Sequence, residues 1–221
     1  MGIGREVHEF EEDALKAAGL EWTGIRMCEL GNQKIKFLKH RIPAKKYYTG
    51  LGVKEHVSLD LNAKNGARPV NLDKSIPQDL LNRFMLVTDY GTLEHVNNQY
   101  QVFRNMHDMC CIDGIMLHSL PPPGHWPGHG RYYYPEEFFE QLARTCGYSF
   151  VIPMRRQARD NREEHDMLMV AFRKTKDNFP ARSAFHALPI EDSGDMGTTG
   201  NYTQKNKPIG RIVEKIRSAF N

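Results

Sequence analysis

No apolar run in these 221 residues approaches the ~20 consecutive positions a helix needs to cross a bilayer. No membrane association is therefore expected. Cysteine is scarce. Cys28, Cys110, Cys111 and Cys146 form no C-x-x-C pair, which removes disulfide scaffolds and cysteine-rich zinc modules and reads as free thiols in a reducing compartment. Surplus charge is also small: 30 Lys and Arg face 27 Asp and Glu, for a net +3. That balance calls for no nucleic acid as partner, and the basic clusters at 34–46 and 155–162 read as solvated faces. The first residues show no basic stretch followed by an apolar core, so a cytoplasmic protein is expected. A G-x-G-x-x-G fingerprint is missing as well, which argues against a nicotinamide-dependent oxidoreductase.

What is present is enough apolar material for one core, 40% of the chain. The patterning alternates. Residues 6–18 carry Val7, Phe10, Ala14, Leu15 and Ala18 at helical spacing, with Gly19 as the stop. The run 25–31 reads as a buried strand, 32–40 as a helix with Ile35 and Leu38 inward, and 44–52 as a short helix. Strands are expected at 56–61, 68–73, 83–89 and 115–120, with a helix over 99–109 turning Val102, Phe103 and Met106 inward. Pro135, Glu136, Glu137 and Gly147 mark the ends of a helix. The last two apolar runs, 148–154 and 166–174, have no helix between them and should pair antiparallel. The expected class is α/β: a seven-stranded, mostly parallel sheet with an antiparallel final pair and helices on both faces. One domain should span 1–176. Residues 177–221 read as an extension, irregular over 178–207 and closed by a helix at 209–220. Oligomeric state leaves no mark in the sequence.

The chain is organised around Ile25-Arg26-Met27-Cys28-Glu29-Leu30-Gly31. A strand ending in an acid and a glycine stops at a turn where backbone comes close to something, and in parallel sheets ligands sit at that end. Asp60 closes the next strand and suits a ribose diol, which a carboxylate can hold by two hydroxyl hydrogen bonds. It lies 29 positions beyond Gly31, more than the ~20 of the dinucleotide fingerprint, so the segment between them should be enlarged. Together with Asn71-Leu72-Asp73, Leu93-Glu94-His95-Val96 and Tyr134-Pro135-Glu136-Glu137-Phe138-Phe139, this layout resembles the class I S-adenosylmethionine-dependent methyltransferases over about residues 25–174. The resemblance implies S-adenosyl-L-methionine as cofactor, held by Glu29, Gly31, Asn32, Asp60, Leu61, Leu72, Asp73, Asp89 and Tyr90. One departure stands out. The family usually follows its first glycine with a small residue and another glycine, where this chain has Asn32 and Gln33.

Methyl transfer from a sulfonium needs alignment and, for some acceptors, a base. His95, His118 and Glu94 are the candidate catalytic residues, since imidazole titrates near neutrality. The Pro-, Gly- and His-rich loop 121–131 reads as a stiff lid, with His125, Trp126, His129 and Tyr132 facing a small-molecule or saccharide acceptor. Imidazole and carboxylate also suit zinc. However, ubiquinone-pathway O-methyltransferases take a metal through an acid-x-x-Glu-His pattern whose first position here is Gly91, so no metal is expected. The expected function is methyl transfer to oxygen or nitrogen. The alternative is a non-catalytic methyltransferase-like module that serves as a scaffold or binds a partner.

Overall fold

The computed structural model describes residues 2–159 and 162–195. Four parallel strands form its centre: β1 (Arg26–Leu30), β2 (Glu55–Leu59), β3 (Phe84–Tyr90) and β4 (Cys110–Leu120). Three more follow: β5 (Ser149–Phe150), β6 (Arg155–Arg159) and β7 (Arg162–Arg173). β7 lies antiparallel to β4, and both β5 and β6 pair antiparallel with β7. The order across the sheet is β2-β1-β3-β4-β7-β5, so the expected mostly parallel sheet with a reversed edge is observed.

Side chains alternate along these strands, which splits the core into two layers. Ile115 and Leu117 of β4 pack with Val7, Phe10 and Leu15 of α1 (Arg5–Ala18) and with Tyr48 of α2 (Ala44–Gly50). Met116 and Leu120 face the other way, toward α3 (Gln99–Met109), α4 (Glu136–Cys146) and α5 (Arg182–His186). α1 ends as its sequence requires. Gly19 sits in the left-handed region at φ 69°, and its N–H and that of Leu20 close back on Lys16 and Leu15. α4 starts at Pro135 and stops at Gly147, φ 71°. α3 is capped by Asn98, whose side chain accepts the Gln101 N–H at 3.1 Å. Asn98→Ala is expected to lower the unfolding free energy by about 1 kcal/mol, read from urea titration.

Three expected elements are corrected. Residues 32–40 form no helix. Asn32 and Gln33 donate their backbone N–H groups to the carboxylates of Asp60 and Glu29. The chain then runs extended, with Lys34–Ile35 laddered antiparallel to Ile42–Pro43 and Ile35 bridged to Ile3. Ile35 is buried as expected, but Leu38 is exposed. The Ile3 backbone accepts the Lys36 N–H and donates to the Lys34 carbonyl, groups that a helix would pair within itself. Residues 68–73 form one bridge, Leu59 to Arg68, rather than a strand. The chain turns away instead, with the Lys74 N–H closing on the Asn71 carbonyl. Pro153 interrupts the run 148–154, leaving β5 short.

The described part of the C-terminal extension packs on the body. Phe185 of α5 is fully buried beside Phe103 and Phe138, and Glu191–Asp192 pairs with Tyr132–Tyr133. The expected helix 209–220 lies outside the described residues. All four cysteines are free, and burial pushes the Cys28, Cys110 and Cys146 thiols up. No helix among the described residues is long and apolar enough to cross a membrane.

Candidate active site

The carboxyl ends of β1, β2 and β3 meet at one edge. Gly31 follows β1 at φ 82°, a conformation that only glycine adopts without strain. Its N–H donates to the Leu59 carbonyl of β2 at 2.8 Å. The next residue ties the two strand ends together, because the Asn32 N–H donates to Asp60 Oδ2 at 2.9 Å. Asp60 Oδ1 accepts the Asn62 N–H at 2.9 Å. A carboxylate offers about four lone-pair sites, and each Asp60 oxygen keeps one beyond these bonds. Asp60 is half-buried, and Leu61 beside it is 43% exposed, an apolar side chain left at the rim of a polar turn.

Glu29 lies deeper. It is buried, and its Oε1 accepts both the Gln33 N–H and the Ser58 hydroxyl at 3.0 Å. Its role is to fold the turn back on the strand. That turn places Gln33 between the tips of β1 and β3. The side chain is 1% exposed, and its Nε2 donates to the Tyr90 carbonyl at 3.2 Å. A Cβ built on Gly31 would stand 3.0 Å from Gln33 Nε2 and 2.7 Å from Thr92 Oγ1. The room left by the missing Cβ is therefore filled by protein. Sequence reasoning marked Gln33 as a departure but did not place its side chain in the crevice.

On β3, Asp89 caps the exit loop. Its Oδ1 accepts the N–H groups of Thr92 and Leu93 at 3.0 and 3.3 Å, while Oδ2 faces His118 Nδ1 at 3.5 Å. Burial pushes the Asp89 carboxyl above the usual range, against the pull of His118. The loop then turns through Gly91, φ 81°, into the single turn Leu93–His95. Glu94 is fully buried, with Oε1 3.6 Å from His95 Nε2 and 3.8 Å from His129 Nε2. His129 arrives on the 121–131 loop, which lies directly over Glu94. The Arg131 N–H donates to the Glu94 carbonyl at 3.0 Å, and a Cβ on Gly130 would stand 2.6 Å from Glu94 Cγ.

Several candidates point elsewhere. His118 is packed among Phe103, Phe139 and Phe172 at 2% exposure. It is a core histidine behind Asp89, and the signal was in the sequence: it shares its strand face with Met116 and Leu120. The Tyr90 hydroxyl donates to Glu11 on the α1 side at 2.6 Å, so only its carbonyl faces the crevice. Leu72 is buried, and Asp73 Oδ1 accepts the Asn98 N–H at 2.8 Å, steadying the start of α3. Tyr132 is buried and donates to the Asn97 carbonyl. Trp126 stacks on His165 at 4.3 Å and donates its Nε1–H to the His165 carbonyl at 2.6 Å. His125 Nδ1 accepts the Asp166 N–H. Trp126 and His125 thus fasten the loop to β7.

No family model and no curated protein matches this sequence. Solved structures do. Over 78% of this chain and 82% of the other, the fold is similar to 1,6-didemethyltoxoflavin-N1-methyltransferase of Burkholderia thailandensis with 1,6-didemethyltoxoflavin and S-adenosylhomocysteine bound, at TM-score 0.50 and 16% identity. N-methyltransferase NodS of Bradyrhizobium japonicum, in complex with S-adenosylhomocysteine, is similar over 78% and 89% at TM-score 0.51 and 12% identity. The cyclase SpnF is similar over 76% and 81% at TM-score 0.53 and 11% identity. These likenesses define the fold as the Rossmann-like architecture of class I S-adenosylmethionine-dependent methyltransferases. They include a cyclase, so the activity must be argued from the site.

Proposed function

We propose that this protein is an S-adenosylmethionine-dependent methyltransferase acting on oxygen or nitrogen of a small molecule, with saccharides among the candidate acceptors. The observation that carries this reading is the meeting of Gly31 and Asp60 at adjoining strand tips, with the exposed Leu61 beside them. That is the set a nucleoside asks for: close backbone, an acceptor pair for a ribose diol, and an apolar rest for a base. The nucleoside half fits the residues as they stand. The amino-acid half fits once Gln33 turns out of the crevice, which frees the Tyr90 carbonyl to accept from an ammonium group.

S-adenosylmethionine brings a methyl group already activated on a sulfonium. The chain's own task is alignment and proton removal. Asp60 would hold the ribose and Leu61 the base edge. Asp89 fixes the loop that carries Glu94 and His95. His95 would take a proton from an incoming hydroxyl or amine, with the Glu94 carboxylate at 3.6 Å holding the resulting imidazolium. The neighbours that carry S-adenosylhomocysteine, one of them with 1,6-didemethyltoxoflavin also bound, support a small-molecule acceptor here.

A second reading, a non-catalytic module on this fold, is favoured by one specific feature: Gln33 stands where the family keeps a glycine and already bonds Tyr90. Calorimetry separates the two. Saturable binding of S-adenosylhomocysteine below millimolar concentration is expected. No heat with either S-adenosylmethionine or its demethylated product at millimolar levels would leave only the non-catalytic reading.

A further inference from the structure

The geometry points to a divalent-cation site of zinc type at the lip of this crevice, with Glu94, His95 and His129 as its three protein ligands. Among the described residues, these three bring one carboxylate oxygen and two imidazole nitrogens within 4.8 Å of one another. Zinc bonds of about 2.0–2.2 Å place tetrahedral donors roughly 3.4 Å apart. Two of the separations, 3.6 and 3.8 Å, already approach that figure. One carboxylate and two imidazoles form the kind of donor set that borderline divalent ions take.

The arrangement is built rather than incidental. Glu94 and His95 come from one turn, and His129 comes from a loop tied down at several points. Gly130 admits no side chain against Glu94, and the Arg131 N–H is bonded to the Glu94 carbonyl. The Arg131 guanidinium is bonded to Asp192 at 2.6 and 2.7 Å, and the His129 N–H to the Trp126 carbonyl at 3.0 Å. Glu94 is fully buried while the His129 side chain is 33% exposed, so a bound ion would keep an outward position open. Three protein ligands with an open fourth position are the pattern of catalytic rather than structural zinc. With the ion bound His95 is a ligand and no longer a base: an oxygen or nitrogen of an incoming molecule would fill the open position and lose its proton more easily there. Sequence spacing argued against the set: Gly91 removes the local acid, and the third donor comes from 34 positions further along than His95.

The site stands whether or not the crevice takes a nucleoside, because the probe is the metal alone. Cobalt(II) titrated into the metal-free protein is expected to give one equivalent of intense visible absorption characteristic of low coordination, displaced by zinc. His129→Ala is expected to weaken cobalt binding at least tenfold with an unchanged melting temperature in the absence of metal. His186→Ala, at an exposed histidine of α5, should leave it unaltered. A spectrum no different from cobalt in buffer would overturn the proposal, as would equal binding by wild type and His129→Ala.

Discussion

Asp60→Ala is expected to weaken binding of S-adenosylhomocysteine by about 10²- to 10⁴-fold, and binding of adenosine alone by a similar factor. Hydrogen bonds to a charged group contribute roughly 1.5–3 kcal/mol each, and a ribose diol would make two to this carboxylate. The factor follows from about 1.4 kcal/mol per tenfold. The same carboxylate accepts the N–H groups of Asn32 and Asn62, so the alanine variant also loosens the turn between β1 and β2. Asp60→Asn is a graded control. It keeps the shape and one acceptor oxygen, so it loses one of the two turn bonds along with one ribose acceptor, and it should fall between wild type and alanine in both affinity and melting temperature. The measurement is calorimetric titration with both ligands beside a thermal melt. Wild-type affinity in Asp60→Ala would move the nucleoside away from this strand tip and remove the basis of the methyl-transfer reading.

The parts of the fold that local chemistry dictates were legible. α1, α3 and α4 follow from apolar spacing with a glycine or an asparagine at their ends, and the reversed β7 follows from two apolar runs with no helix between them. The helix expected at 32–40 is a short-range pattern overruled by bonds from far along the chain. Residues 32–40 carry helical spacing, but Ile3 takes the backbone groups that a helix would use, donating to the Lys34 carbonyl and accepting the Lys36 N–H. Pro69 and Pro153 were visible, and each marks where an expected strand breaks off. The candidate site divides in the same way. Gly31, Asp60 and Asp89 lie at strand tips, where topology puts them. Residues whose role depends on where a side chain turns were not readable. Tyr90 turns toward Glu11, and His129 reaches Glu94 only because Gly130 lets the loop lie flat against it.

The side chain of Gln33 therefore decides how the crevice behaves. Gln33→Ala is expected to tighten S-adenosylhomocysteine binding by about 2- to 12-fold and to leave adenosine binding unchanged. In the wild type the amino-acid end of the ligand must displace a buried amide that donates to the Tyr90 carbonyl. That hydrogen bond contributes about 0.5–1.5 kcal/mol, and a ligand that binds only the minority conformation loses apparent affinity in proportion to its population. The substitution keeps what holds the turn, since the Gln33 backbone N–H still reaches Glu29 and its carbonyl still accepts from Ala44. It also removes Gln33 Oε1, a buried oxygen with no hydrogen-bond partner among the described residues. Its loss should offset the lost Tyr90 bond, so the melting temperature should barely move. Paired with Asp60→Ala, the experiment divides the crevice by ligand fragment: Asp60 governs adenosine, and Gln33 governs only what the amino-acid end adds. Should Gln33→Ala bind S-adenosylhomocysteine no better than wild type while adenosine still binds, the glutamine is no obstacle and the methionine portion runs elsewhere. Should the variant gain affinity and turn over an acceptor that the wild type does not, Gln33 is what holds a competent methyltransferase fold shut.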